Sequence, residues 1–485
     1  MNVEDGRKET QGGTGTGTHK QARKFLVLCS HLFSLLPLLP HHPTLFFREA
    51  MPPAHAIDIP EVLIRIAAHL EKPALAAACR VRKAWFRPFT EQLWRSIEKD
   101  DFEGGRHRSL LEAMPRYATF VRELACPSFL PREVFLLGPE LSRLTMFSTP
   151  DLDSDGIGWI QDILKQNPAL ESLSIESTHN IPEEQIMDAV KTMARLERLS
   201  SLRFETSWTL KETFLESVLD CLPLLKSFSL WGHPEYITSP STLPDVEGSS
   251  RDIRKQPYQL EAVHLSIPWQ LIDTATNFLT FCPLLKSLDI RDSSLQAGPG
   301  IPDLGLFART LHGSCPELSS LIIGSVWLDV NYLTYLLSLG SPMWNVGSQA
   351  AWFRLRSLSI KNASAKNESV LMVIWMGRDV FKETLEDVEI DCDRSDPTGG
   401  VFVAMILESF KKLSRLSVEG VVVSAENLFQ GDERVMEWAS TKIVSLSFTV
   451  KSPTSTLHFS WYTSIQAHLD RFPMLDQSGV RFLEN

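Results

Sequence analysis

Close metal-ligand pairs, catalytic motifs and a basic surplus are all missing from this chain of 485 residues. Its seven cysteines (Cys29, Cys79, Cys126, Cys221, Cys282, Cys315, Cys392) are scattered, and no two form Cys-x-x-Cys. That spacing argues against a structural zinc site. An odd, dispersed set of thiols points to a reducing compartment, cytoplasmic or nuclear. The net charge is -11, so nucleic acid is not expected as a partner, because binding phosphates needs a basic stripe. There is no Gly-x-Ser-x-Gly, no His-Glu-x-x-His and no phosphate loop. Neither an enzyme nor a cofactor is therefore expected. The longest apolar stretch, Phe25 to Leu39, is broken by His31 and Pro37. It is too short for a confident membrane span, and no membrane partner is expected.

What is present is a repeated pattern, Leu-x-x-Leu-x-Ile. Clear copies start at Leu170, Leu285, Leu318 and Leu355, and weaker ones at Val121, Leu141, Leu199, Leu225, Leu260, Leu385, Leu413 and Ile443. Eleven steps over 322 residues give a mean of about 29, a period that means stacked units rather than one globular core. Each strand-like motif precedes a segment of helical period, such as Phe214-Leu215-x-x-Val218-Leu219 or Phe402-x-x-x-Ile406-Leu407. One strand and one helix per unit are expected, with a parallel sheet inside and helices outside. This α/β pattern resembles the leucine-rich-repeat family and covers residues 121–485. The asparagine that family often places after the strand is largely missing; Thr178, His233 and Ser293 stand near it. Cys221, Cys282 and Cys315, each just before a repeat's strand, read as small buried packing residues.

In such a strand the leucines point inward and the x residues face the concave surface. Twelve motifs give 36 x positions, and 16 are serine. Charges there balance, with a local acidic excess at Glu386, Asp387 and Glu389. The charged candidates for holding a protein target are Arg203, Lys226, Lys286, Asp289, Arg356, Glu386, Asp387, Glu389 and Arg415. A balanced, serine-rich face steers charged ligands weakly, so specificity is also expected in loops, above all an insertion at about 233–259. Trp231, Trp269, Trp327, Trp344 and Trp352 flank strands or loops and are more readily core than interface.

Ahead of the repeats lies a short helical pattern at 55–98, followed by a linker or capping segment at 99–120. Pro60 suits a first helical turn, Asp58 its cap, and Val62, Leu63, Ile66 and Leu70 one apolar stripe. A second helix is expected from about Ala74 to Ala84. The run Ile59-Pro60-Glu61-Val62, then Ile66 and Leu70, then Leu75, then Cys79-Arg80-Val81-Arg82-Lys83-Ala84-Trp85, then Leu93-Trp94 resembles an F-box, a three-helix module. It departs from that family's pattern at Ile59, where leucine is usual, and at Arg82, where a small residue is. The resemblance implies a substrate-recognition subunit of an SCF-type ubiquitin ligase. The module would dock on a Skp-type adaptor and through it a cullin, while the repeats hold a protein target of unknown identity. Carried over residue by residue, it puts Ile59, Pro60, Val62, Ile66, Leu70, Leu75, Val81, Arg82, Lys83 and Trp85 at or beneath the adaptor interface. The alternative is a non-catalytic leucine-rich-repeat scaffold with no ubiquitin role.

Residues 1–54 are polar and then apolar and proline-broken, and are expected to be a disordered or non-native extension, with Met51 as a second possible start. Asp151-x-Asp153-x-Asp155-Gly156 imitates a calcium loop. A strand from Leu141 to Met146 ahead of it, in place of a helix, favours a polar turn capping a helix instead.

Overall fold

A computed structural model describes residues 59–103, 107–127, 141–206, 209–211, 213–232, 235–237, 256–267, 272–292, 304–324, 333–334, 336–337, 354–361, 367–391, 399–430, 434–451 and 460–483. The expectations for residues 1–54, Asp58, Cys29, Cys392, four of the five tryptophans and most of the 233–259 insertion lie outside these. The chain divides into two compact units, Met1–Ala125 with Pro139–Leu144, and Cys126–Gly138 with Thr145–Asn485.

The described residues of the first unit include helices α1 (Pro60–Ala67), α2 (Lys72–Ala78) and α3 (Lys83–Arg95). Pro60 and Pro73 sit in the first turns of α1 and α2, where a missing N–H costs nothing. The α1 cap is Ile59, through its extended backbone. The expected second helix is in fact two: α2 stops at Ala78, and α3 opens at Lys83 after an extended Arg82. Leu63, Ala67, Leu75, Ala78, Trp85 and Phe89 form the core, with Ile66, Leu70, Cys79 and Leu93 packed against it. Trp85 stacks on Phe89 at 5.4 Å. Val62 is exposed, so the inward stripe is Leu63 and Ala67, one helical turn apart. Residues 99–120 carry helix α4 (His107–Tyr117), and β1 (Ser96–Ile97) pairs in parallel with β2 (Glu123–Ala125). Lys72 makes an ion pair with Asp101, tying α2 to this segment.

The second unit is built on strands β3 (Met146–Asp151), β4 (Ser172–Ser177), β5 (Ser201–Thr206), β6 (Thr209–Lys211), β7 (Ser227–Gly232), β8 (Glu235–Ile237), β9 (Ala262–Ile267), β10 (Ser287–Asp292), β11 (Ser320–Gly324), β12 (Ser357–Lys361), β13 (Asp387–Asp391), β14 (Arg415–Ser424), β15 (Phe429–Gln430), β16 (Arg434–Val435), β17 (Ser445–Lys451) and β18 (Val480–Leu483). One parallel sheet runs β3-β4-β5-β7-β9-β10-β11-β12-β13-β14-β17-β18. Its register is the sequence repeat itself: Leu173 stands beside Leu202, Leu202 beside Phe228, Phe228 beside Val263, and so on through Leu288, Leu321, Leu358, Val388, Leu416 and Leu446. A second ladder from Ile175 to Val418 and a third of pre-strand leucines, Leu170 to Leu413, are equally buried. Helices follow most strands: α5 (Ser154–Gln166), α6 (Glu183–Met193), α7 (Phe214–Cys221), α8 (Ile272–Leu279), α9 (Leu304–Ser314), α10 (Asn367–Met376), α11 (Arg378–Phe381), α12 (Gly400–Ser409) and α13 (Ser460–Leu469). This is a leucine-rich-repeat solenoid in strand order, register and burial.

Three details differ from expectation. The unit assigned to Leu141 starts at Leu144, because β3 pairs Phe147 with Leu173. Leu141 and Leu144 are both buried and three apart, so two frames fit the motif, and Met146 is 48% exposed. Between β14 and β17 the helix is replaced by a short 3-10 turn, Ala425–Leu428, and the antiparallel ribbon β15–β16. A last strand, β18, follows the twelfth motif and continues the sheet.

Helix ends explain the cysteines. Asn167, Leu222, Cys282 and Cys315 each precede a proline, which pushes the preceding residue out of helical geometry. Asn167 and Leu222 show this directly, with ψ of 67° and 58°. The Asn167 amide donates to Ile163 C=O at 2.9 Å, and the Cys282 thiol to Phe278 C=O at 3.5 Å, each satisfying a last-turn carbonyl. Cys126, Cys282 and Cys315 are buried, whereas Cys221 lies one position earlier, still in α7, and is half-buried. Burial pushes the Cys315 thiol up to about 12 and raises the Cys282 thiol as well. Thiolate is the reactive form, so Cys282 and Cys315 are expected to resist iodoacetamide in the native protein at pH 8. Cys221 is expected to alkylate, as peptide mass mapping after a short pulse would record. Equal labelling of all three would contradict the packing described.

Candidate functional site

Two surfaces stand out. On the helical module, large apolar side chains face solvent: Ile59 (43% exposed), Val62 (38%), Ile64 (52%), Val81 (54%) and Phe86 (50%). Helix α1 carries apolar residues at 62, 63, 64, 66 and 67, more than one stripe accommodates, so filling the core with Leu63 and Ala67 forces others outward. Of the residues named from sequence, Ile59, Pro60, Val62, Val81, Arg82 and Lys83 are exposed, Ile66 and Leu70 are half-buried, and Leu75 and Trp85 lie in the core. Ile64 and Phe86 were not among them. The signal for both was present: Ile64 is off the stripe, and Phe86 follows the inward Trp85.

The second surface is the face of the sheet that carries the x residues. Along the strands, buried and half-exposed residues alternate, as in β4 and β13. Register aligns the charged candidates in rows. One row runs Arg203, Ser229, His264, Asp289, and further along Ser359, Glu389 and Ser417. The charges are largely spent on each other. Arg203 bonds Glu205 at 2.6 Å, Lys286 bonds Glu261 at 2.6 Å, and Arg415 grips Asp387 with two bonds of 2.8 and 2.6 Å. Glu389 accepts from Ser359 at 2.8 Å and Lys361 at 3.0 Å. The expected acidic excess at Glu386, Asp387 and Glu389 is thus reduced to Glu386. Lys226, Arg356 and Glu386 make no ion pair among the described residues.

Asp289, expected to offer its carboxylate to a target, is instead buried, its side chain only 3% exposed. Arg291 donates to it through Nε at 3.0 Å and Nη2 at 2.8 Å, and His264 Nδ1 lies 3.5 Å away. Burial alone raises such a carboxyl, but hydrogen bonds from His264 and Arg291 and the Arg291 charge outweigh it and hold Asp289 below the usual carboxylate range. The bond to Asp387 from Arg415 lowers that carboxyl too. Arg291 in turn lies 4.7 Å over the Trp231 ring, with Arg203 at 5.9 Å and the His264 ring stacked at 6.1 Å. Trp231 is therefore a half-buried platform on the open face, between cations, and not a core residue. Glu205, Trp231, Arg291 and Lys361 all sit one position beyond the six-residue motif. The strands simply continue the period-2 alternation for another residue.

The calcium-like residues are used otherwise. The Asp153 carboxylate caps α5 by accepting from Gly156 N–H at 2.9 Å, and Asp151 accepts from Thr178 N–H at 2.6 Å and Thr178 Oγ1 at 2.5 Å. No group of three His, Cys, Asp or Glu that could hold a metal occurs among the described residues. No helix among them is long and apolar enough to cross a membrane.

No family model matches the chain, and no curated protein matches it significantly. Solved structures do. A protein of Bacteroides fragilis is 13% identical with a TM-score of 0.33, covering 73% of this chain and 79% of its own. The yeast Rad7 and Elc1 complex is 10% identical with a TM-score of 0.33, covering 97% of this chain and 98% of that one. The fold assignment rests on the strand register above.

Replacing Asp289 by Asn is expected to destabilise the protein by about 1–3 kcal/mol at pH 7, because charge-assisted bonds to Arg291 are lost inside the fold. A depressed carboxylate stabilises above its unfolded pKa of about 4 and loses that contribution as pH falls through the folded value. The gap between wild type and Asp289→Asn should therefore close below about pH 4. Urea unfolding at pH 7 and pH 3 checks this; a gap that does not change with pH contradicts the assignment.

Proposed function

We propose that this chain is the substrate-recognition subunit of an SCF-type ubiquitin ligase. Its F-box-like module binds a Skp-type adaptor, which connects to a cullin, and its repeats carry a protein target. In this reading the chain itself does no chemistry; it supplies proximity between a target lysine and the charged conjugating enzyme. The observation that carries the reading is the apolar surface of the module: Ile59, Val62, Ile64, Val81 and Phe86 remain exposed although the module's core is complete without them. Large apolar side chains left outside a filled core are the surface that a bound partner would cover.

Magnitudes indicate what the interface needs. Each of the five is about half exposed, so covering them contributes on the order of 1 kcal/mol apiece, a gross total of about 5 kcal/mol. Association costs about 4–15 kcal/mol of rigid-body freedom. These apolar side chains alone are therefore insufficient, and Arg82 and Lys83, both exposed, supply the charge to meet an acidic adaptor surface.

Affinity purification of the full chain from cells that contain the adaptor tests this. Wild type is expected to recover adaptor and cullin. A Val62→Asp, Phe86→Asp variant is expected to lose both while its circular dichroism and thermal midpoint stay unchanged, since both positions are exposed. Recovery of the adaptor by that folded variant, or by neither protein, would leave the scaffold reading in its place.

A further inference from the structure

At the strand-entry edge of the second unit lies a cavity of about 410 Å³ that spans the repeats of β10 to β14. Its charged lining is Lys286, Arg354, Arg356 and Lys412 against Glu317 and Glu386. The backbone ladder sets their spacing. Ser319 N–H donates to Lys286 C=O at 2.9 Å, Arg356 N–H to Ser319 C=O at 2.8 Å, and Glu386 N–H to Arg356 C=O at 2.7 Å. Successive repeats thus deliver one side chain each to the edge, about 4.8 Å apart.

Not all of this charge is available. Lys286 is paired with Glu261 at 2.6 Å, and Arg354 with Glu317. Arg356 and Lys412 are exposed and make no ion pair among the described residues. With Lys286 and Arg354 matched by Glu261 and Glu317, Arg356 and Lys412 stand against Glu386 alone, a local surplus of one positive charge within a chain whose net charge is -11. The acidic background disfavours diffuse binding of anions elsewhere and focuses them here.

We infer that this cavity receives an acidic side chain, a carboxylate presented by an extended segment of a bound protein laid along the strand entries. Arg356 and Lys412 meet the carboxylate. Glu386 sets the limit of the charge allowed, since it repels a second carboxylate beside the first. The edge from Lys286 to Glu386 crosses three strand spacings, about 14 Å, the reach of about four extended residues. A peptide fits that dimension; a folded domain does not enter it. The inference rests on the reading of the repeats as the target-binding body.

Fluorescence anisotropy tests it with a fluorescein-labelled peptide, Gly-Ser-Gly-Glu-Ser-Gly-Ser, titrated with the full chain at physiological salt. Binding is expected, and Arg356→Ala with Lys412→Ala should weaken it about tenfold or more, equivalent to about 1.4 kcal/mol. Lys191→Ala, on the outer helix α6 and paired there with Asp188, should change nothing. The same peptide with glutamine for glutamate should bind about tenfold more weakly. No binding by wild type, equal binding by the double variant, or equal binding of the glutamine peptide overturns the inference. Adaptor recovery from the same preparations separates the two readings. If the adaptor is recovered but the peptide ignores Arg356 and Lys412, only this inference fails. If peptide binding depends on them but no adaptor is recovered, the site stands and the ligase reading fails.

Discussion

A repeat of about 29 residues cannot bury its own apolar face, and the missing wall is supplied by the next repeat. The ladders that run from Leu173 to Leu446 and from Ile175 to Val418 are that wall. They fix the register of the sheet, and register fixes everything that faces outward. A slip of one residue in any strand would exchange leucines for serines and charges. The stacking tolerates the loss of a helix, as between β14 and β17, because the strand ladder and not the helix carries the continuity.

The outward face follows from the same geometry. Side chains from neighbouring strands stand about 4.8 Å apart, so opposite charges on adjacent repeats meet. Arg415 meets Asp387, Lys361 meets Glu389, and Lys286 meets Glu261. Exposed pairs like these contribute little stability, about 0–1 kcal/mol each, but they remove charge from the surface. Among the described residues, the Trp231 platform and the uncommitted charges of Lys226, Arg356, Glu386 and Lys412 remain on that face. The helical module solves a different problem. Its core closes on Leu63, Ala67, Leu75, Ala78, Trp85 and Phe89, and its surplus apolar residues stay outside.

Much of this was legible in the residues. The motif starts predicted the strands, and ten of the twelve frames match the observed ladders because both are set by the same inward leucines, while the Val121 frame lies in β2, which pairs with β1. The Leu141 frame failed where two leucines three apart allow two alignments. The open face was legible in position but not in pairing. Which x residue meets which depends on register between repeats, and Glu205, Trp231, Arg291 and Lys361 lie one residue past the six-residue motif. The burial of Asp289 is not legible in the motif, since Arg291, which covers it, lies just past the motif. In the module, the break between α2 and α3 was missed because Cys79 to Trp85 has no glycine or proline to mark it.

Neighbouring repeats are coupled through the buried ladder, and a double-mutant cycle measures that coupling directly. Leu288 and Leu321 are register partners on adjacent strands, whereas Leu288 and Leu416 are four strands apart. Each single Leu→Ala change is expected to cost about 2–5 kcal/mol in urea unfolding. The Leu288 and Leu321 pair should show a coupling of about 0.5–3 kcal/mol, and the Leu288 and Leu416 pair should add to within about 0.5 kcal/mol. Additivity for the adjacent pair, or equal coupling for both, would contradict the stacked-ladder account.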